Sequence, residues 1–307
     1  MAKRRLIINT DAKNEADDQF AIVHALLSPS LHVEGIIPAH FGTHRTTRSM
    51  EDSRDEVDLI LRLLGMSGQI EVANGAPESI RDESSPKNSP GAQLIIREAR
   101  KPGALYIIFL GPLTDMASAL LLDPTIVENR ELTVVWVGGG PYDGAHGDEP
   151  QGEFNLSNDI AAANVVLQSG LTVWQIPWSV YTMVSVGYGE LDERVSPYGE
   201  LGEYLVRQLK EFNSSFADVE EIEYRSLGDS PAVGVVLNPR GAIWRHHPVR
   251  VFDDQARLTN IVVPGKTVRV ADSVDVRWLL EDMFAKIKSH AREDDHVRTG
   301  RSKQSDK

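Results

Sequence analysis

A chain of 307 residues, 41% hydrophobic and 25% charged, is long enough to bury one large core and has the composition of a globular protein rather than a disordered one. Its 45 acidic residues outnumber 32 basic ones, and the net charge of -13 repels phosphate backbones, so no nucleic-acid partner is expected. The absence of cysteine excludes disulfides, thiolate metal sites and cysteine nucleophiles; no apolar run reaches the length of a membrane span, so no membrane partner and a cytoplasmic location are expected.

Short β-branched runs alternate with helical periods. The start, MAKRR, is followed only by Leu6-Ile7-Ile8 before polar residues, too short for a secretory leader. Residues 5–9 read as a strand and 17–27 as a helix, with Phe20, Val23, Leu26 and Leu27 on its apolar face and Pro29 beyond its end. A strand over 32–38 and a long helix ending near Leu64 come next, Val57, Ile60, Leu61 and Leu64 facing inward. Buried strands are expected over 70–73, 105–110, 132–137 and 171–176, with helices near 92–100, 113–122 and 160–168. The polar, proline-containing stretch 79–90 reads as a mobile loop.

Beyond residue 190 the pattern loosens. Helices are expected over 201–212 and 230–237, and strands over 249–252 and 267–270 flanking a Pro264-Gly265 turn. A last helix, 274–287, is expected after an Asp272-Ser273 cap. Residues 1–290 are then one domain, and 291–307, almost without apolar side chains, a disordered tail. Strands separated by helices imply a single α/β domain with a mainly parallel, Rossmann-like central sheet and helices on both faces. Ligands of such sheets lie outside the carboxyl ends of the strands, which selects the loops to inspect.

The loop after the first strand, N-T-D-A-K-N-E-A-D-D over 9–18, holds Asp11, Glu15, Asp17 and Asp18. Four carboxylates so close repel one another, and Lys13 supplies one compensating charge. A divalent cation is the natural compensation, and oxygen-only donors point to Ca²⁺ or Mg²⁺. Asp17 and Asp18 also suit the positive end of the following helix, but that role leaves Asp11 and Glu15 unexplained. An EF-hand is excluded, because the alternating ligands, the central glycine and a preceding helix are missing. His246-His247 lie side by side on a strand and face opposite ways, so they read as surface or packing residues rather than a metal pair.

This acidic loop resembles the D-x-D-P-G-x-D-D fingerprint of the inosine–uridine-preferring nucleoside hydrolases, with Asn9 in place of the first aspartate and two extra residues before Asp17-Asp18. Three more segments agree in order. F-L-G-P-L-T-D-M-A over 109–117 is similar to T-G-P-L-T-N-I-A; V-G-G-G over 137–140 with G-E-F-N over 152–155 is similar to M-G-G and A-E-F-N; and G-D-S-P-A-V over 228–233 is similar to H-D-P-x-A-V. The resemblance covers residues 5–252. It implies calcium held by Asp11, Asp18, Asp229 and the Leu110 carbonyl. It implies ribose contacts from Asp17, Glu153, Asn155 and Asp229, and a symmetric homodimer or homotetramer serving purine or pyrimidine salvage.

On that reading a metal-activated water attacks the anomeric carbon of a small-molecule nucleoside, with Asp11, or else Asp17, as general base. The surrounding carboxylates favour an oxocarbenium-like transition state. The family's histidine before the last aspartate, assigned to leaving-group protonation, is Gly228 here. His146, Tyr142, Tyr224 and Trp178 are candidates to compensate, although Trp178 fits a core role better. Thr43 and His40 are candidates to reach the sugar. Two alternatives stay open: the same centre acting on another N-glycoside, and a calcium-dependent sugar- or nucleoside-binding protein without turnover.

Overall fold

The computed structural model describes residues 3–140, 142, 152–215 and 222–305, with side chains described as far as Glu293. The first strand, β1 (Arg4–Thr10), shows why the chain folds as it does. Leu6 and Ile8 enter one apolar layer and Ile7 the other, as the two-residue period of a strand buried on both faces requires. After it come α1 (Asp18–Leu26), β2 (Leu31–Pro38), α2 (Ser49–Leu63), α3 (Pro90–Ala99), β3 (Leu105–Phe109) and α4 (Thr114–Leu122). The chain continues through β4 (Leu132–Val137), α5 (Phe154–Asn158), α6 (Ile160–Ser169), β5 (Thr172–Ile176) and α7 (Trp178–Tyr181). The small strands β6 (Ser185–Gly187) and β7 (Tyr224–Ser226) pair antiparallel around α8 (Tyr188–Arg194) and α9 (Gly199–Ser214). Then follow α10 (Ser230–Leu237), β8 (Ala242–Phe252), β9 (Leu258–Val274) and α11 (Val276–Ser305).

The central sheet has seven strands in the order β2-β1-β3-β4-β5-β9-β8. Every ladder in it is parallel except β8 on β9, so the expected α/β architecture with a mainly parallel sheet holds. From β1 the chain moves outward to β2, then returns to place β3 on the other flank of β1. The winding reverses there, so the loops after β1 and β3 diverge and leave a crevice at their carboxyl ends.

Several local expectations change. Residues 70–73 contribute one bridge, Ile36 to Val72, rather than a strand. The 79–90 stretch is fastened rather than loose: Ile80 N donates to Asp159 Oδ2 (2.9 Å), Lys87 N to Ser118 Oγ (3.1 Å), and Ser89 Oγ to Asp115 Oδ1 (2.6 Å). Pro264-Gly265 is not the hairpin turn. The turn lies at Asp253–Arg257, where Asp253 N donates to Arg257 O at 3.0 Å. Pro264 and Gly265 sit inside β9, between Val262 (opposite Arg250) and Thr267 (opposite Pro248), in a bulge where a proline needs no ladder partner. The last helix is capped by Asp275, whose Oδ1 accepts from Trp278 N at 3.0 Å, while Asp272 pairs with Arg245 at 2.5 Å. It runs past the expected end at 287, and its side chains beyond Glu293 lie outside the described residues. Near its start α11 clasps α1: His24 Nε2 meets Asp282 Oδ2 at 2.7 Å, and Lys286 Nζ donates to Ser28 Oγ at 2.9 Å.

Candidate active site

Two helices open onto the crevice beside β1 and β3. Asp17 precedes the first turn of α1 and Asp18 begins it; Asp229 immediately precedes α10, which packs against α1. Both amino termini set the positive end of a helix dipole beside these side chains, which offsets part of their repulsion. One carboxylate oxygen from each of Asp17, Asp18 and Asp229 lies within 4.8 Å of the others, and all three residues are buried. Asp229 N donates to Asp17 Oδ2 at 3.3 Å, and Thr10 Oγ1 to Asp18 Oδ1 at 2.5 Å.

Asp11 completes the acidic floor of a cavity of ≈ 50 Å³. A Cβ on Gly111 would stand 2.7 Å from Asp11 Oδ1, so only glycine lets the carboxylate lie against the loop after β3. Among the described residues, Asp11 Oδ2 and Asn14 Oδ1 are buried acceptors with no hydrogen-bond partner, and both residues line the cavity. Buried acceptors are rarely left so. Two of them facing three carboxylates make an all-oxygen donor set that fits a hard divalent cation.

The opposite wall comes from β3, β4 and α5. Leu110 O accepts from Asn155 Nδ2 at 2.6 Å, and the same amide donates to Val137 O at 3.0 Å. Glu153 caps α5, accepting from Leu156 N (2.9 Å) and Asn155 N (3.1 Å), and takes a further bond from Gly139 N at 2.7 Å. Tyr181 Oη donates to Glu153 Oε1 at 3.0 Å. Its ring lies where a side chain at 228 would extend, since a Cβ on Gly228 would meet Tyr181 Cδ2 at 2.9 Å and Asp17 Oδ2 at 3.3 Å.

Burial is the main reason these acids hold their protons. It raises Asp17 to about 8, helped by the charges of Glu15 and Asp18, and Asp18 to about 6 against the hydrogen bond from Thr10. Asp11 and Asp229 are raised well above the ordinary carboxylate range by burial first and Asp18 second. Glu153 is raised by burial despite its three backbone N–H donors. A cation in their midst reverses the sign of this effect.

Seven residues singled out from the sequence meet at this cavity: Asp11, Asp17, Asp18, Leu110, Glu153, Asn155 and Asp229. Three do not. His40 is 1% exposed and belongs to a chain in which Gly42 N donates to its Nδ1 (3.3 Å), its Nε2 meets Thr114 Oγ1 (2.8 Å), and Thr114 Oγ1 donates to Asp159 (2.7 Å). Burial lowers it to about 4, so the ring is neutral. Thr43 is exposed, and Trp178 is half-buried at the start of α7, outside the cavity lining. Tyr142 donates to Gln175 Oε1 at 3.1 Å and stacks on His247, Tyr224 is exposed on β7, and His146 lies outside the described residues. Asn14 and Tyr181 were not singled out as site residues and do line the cavity; Asn14 stood in the acidic loop, while nothing near Tyr181 in sequence marks it.

The sequence profile described as inosine-uridine preferring nucleoside hydrolase matches residues 6–281. The chain belongs to this family. Nucleoside hydrolases are N-glycosyl hydrolases of ribonucleosides and depend on a metal, and this chain has a buried cluster of three aspartates whose oxygens could hold an ion. Among curated relatives, a probable uridine nucleosidase of Arabidopsis thaliana is 26% identical over 77% of this chain and 78% of its own length. A pyrimidine-specific ribonucleoside hydrolase of Citrobacter koseri is 27% identical over 86% of each chain. Among solved structures, a purine-preferring ribonucleoside hydrolase from Gardnerella vaginalis superposes with a TM-score of 0.75 at 24% identity, covering 94% of this chain and 99% of its own. A plant nucleoside hydrolase gives the same score at 20% identity, over 93% of this chain and 99% of its own, a likeness of fold.

Proposed function

We propose that the chain is a calcium-dependent ribonucleoside hydrolase that splits the N-glycosidic bond into free base and ribose. The observation that carries this reading is the pair of unpartnered buried oxygens, Asp11 Oδ2 and Asn14 Oδ1, beside three carboxylates that meet within 4.8 Å. Asp11, Asp18, Asp229 and the Leu110 carbonyl would hold the ion, and calcium suits such donors because it accepts carboxylate and carbonyl oxygens in a flexible shell. When bound, it supplies Lewis acidity toward the attacking water and an anchor for sugar hydroxyls.

The protein's own groups do the rest. Asp11 takes the proton of the attacking water, with Asp17 as the alternative base. Asp17 and Asp229 accept hydrogen bonds from the ribose hydroxyls, which selects ribose over deoxyribose. Asn155 has committed both amide hydrogens to the Leu110 and Val137 carbonyls, so it meets the sugar through Oδ1. Together with Glu153 it orients the sugar's 5′ side, and binding energy gained there lowers the barrier at the anomeric carbon. The massed carboxylates stabilise positive charge developing on the ring.

The deciding experiment measures reducing-sugar release from a panel of purine and pyrimidine ribonucleosides, with calcium and with chelator. Chelator-sensitive release from a member of the panel is expected. Release that ignores the chelator would overturn the metal assignment. A second reading, the same centre acting on a different N-glycoside, is favoured by the Tyr181 ring against Gly228, because it changes the surroundings of the departing group. Calcium binding without release from any standard nucleoside would select it.

A further inference from the structure

The amino ends of the strands, on the side of the sheet opposite the acidic centre, form a second cleft of ≈ 430 Å³. Gly170 at the end of α6, Thr172 at the start of β5, and Arg130 just before β4 supply one side of it. Lys266, Thr267 and Arg269 of β9 and His246, opposite Arg269 on β8, supply the other. The bulge in β9 ends at Lys266 and turns that residue toward the cleft. No aspartate or glutamate lines it among the described residues, in a chain whose net charge is -13.

The plain alternative is a solvated basic patch, and Arg269 argues against it. Its guanidinium lies 4.8 Å from the centre of the Trp174 ring and 4.4 Å from that of Trp244, and it makes no hydrogen bond or ion pair among the described residues. The two rings lie on one side of the guanidinium, their centres 5.4 Å apart, and none of its five N–H donors has an acceptor among the described residues. Burial alone lowers its pKa, with no carboxylate opposing the shift. Arg245, one residue from His246, shows the ordinary outcome on this hairpin: it pairs with Asp272 at 2.5 Å. Lys266 Nζ reaches Ser169 O at 3.5 Å, which takes one ammonium proton and leaves two. Arg130 is exposed and has no ion-pair partner among the described residues. A concave site walled by cations without counter-charges focuses a positive potential that attracts anions.

We propose that this cleft binds a small phosphate ester, its phosphoryl group held by Arg269, Arg130 and Lys266. Guanidinium forks match the geometry of phosphate oxygens, and the hydroxyls of Thr172 and Thr267 add neutral donors. Three cations suit a dianionic phosphoryl group better than a single carboxylate. The volume lies within the range of small-molecule sites, so a sugar-sized body fits beside the phosphate.

The test is calorimetric titration of the full chain with ribose 5-phosphate, in the presence of saturating ribose to fill the acidic centre. Saturable binding is expected, weakened about tenfold or more by Arg269→Gln and by Arg130→Ala, as loss of one charge-assisted hydrogen bond implies. Nucleoside hydrolysis should be unchanged in both variants. Arg130 is exposed, so its variant keeps the test valid if Arg269→Gln disturbs the indoles it stacks on. Absence of saturable binding to the unaltered chain, or equal affinity in both variants, would overturn the proposal. So would a change of oligomeric state in the variants with no phosphate binding, which would make the cleft an interface between copies of this chain.

Discussion

Asp11 combines a fully formed position with an unsatisfied oxygen, so removing it tests function apart from folding. Asp11→Ala should lower kcat by about 10²–10⁴, the usual worth of a general base. Its urea midpoint in chelator should hold or rise, because one of several crowded carboxylates is gone; a folded variant of full activity would sink the assignment. Asn9 and Asp115 form an informative pair. The family fingerprint has aspartate where Asn9 stands and asparagine where Asp115 stands, and Asn9 Nδ2 donates to Asp115 Oδ2 at 3.0 Å. The bond is the same with its ends exchanged. Asn9→Asp should therefore cost about 2–5 kcal/mol by facing two buried carboxylates, and Asn9→Asp with Asp115→Asn should recover most of it in denaturant melts. Gly228→Ala should displace the Tyr181 ring, at an overpacking cost of about 1–3 kcal/mol. If the ring helps Glu153 place the sugar, KM rises more than kcat falls; an unchanged KM would remove Tyr181 from the site.

At the scale of elements, the acidic loop is longer than the family's, and the fold fastens the added length. Gln19 donates to Ala12 O (2.7 Å), Gln208 to Ala16 O (2.8 Å), Lys13 pairs with Glu56 (2.9 Å), Arg45 donates to Asn14 O, and Arg225 pairs with Glu15. Buried Glu56 of α2 is the hub, since it also accepts from Gln19 and Tyr204. Glu56→Ala should lower the melting temperature and weaken calcium binding together; a lower melting temperature with intact calcium affinity would limit Glu56 to stability. The sequence made most elements legible, because β1, β3, β4 and β5 centre on short apolar, largely β-branched runs and the longer helices have apolar stripes. The β8–β9 hairpin was hidden because Pro264-Gly265 carries a turn signature while serving as a bulge. Most of the acidic half of the candidate site was legible because Asp11, Asp17 and Asp18 cluster within one loop, while Asp229 stands apart before α10. Tyr181 was not, for it reaches Gly228 only through the β6–β7 pairing, and His40 misled because its loop packs down onto Thr114 rather than opening to the crevice.

At the scale of the whole molecule, buried acids set a dependence on pH. Asp18 and Asp17 have an ordinary value of 3.8 and rise to about 6 and about 8 in the folded chain. The native state then keeps protons that the unfolded chain releases. Their stabilising contribution is complete below 3.8 and is lost as pH climbs through about 6 and then about 8. Melts in chelator should fall from about pH 5 to about pH 8, and calcium should raise the melting temperature more at the upper end. A flat or rising chelated profile would contradict the burial of these groups. The clasp between α1 and α11 bears on the same balance. The helix whose first turn carries Asp18 is gripped at its far end by Asp282 and Lys286, more than 250 residues later in the chain. Synthesis delivers that grip late, so a nascent chain carries Asp11, Asp17 and Asp18 long before it has Asp229 and the brace that aligns them, and an ion taken up by these residues would close folding rather than seed it.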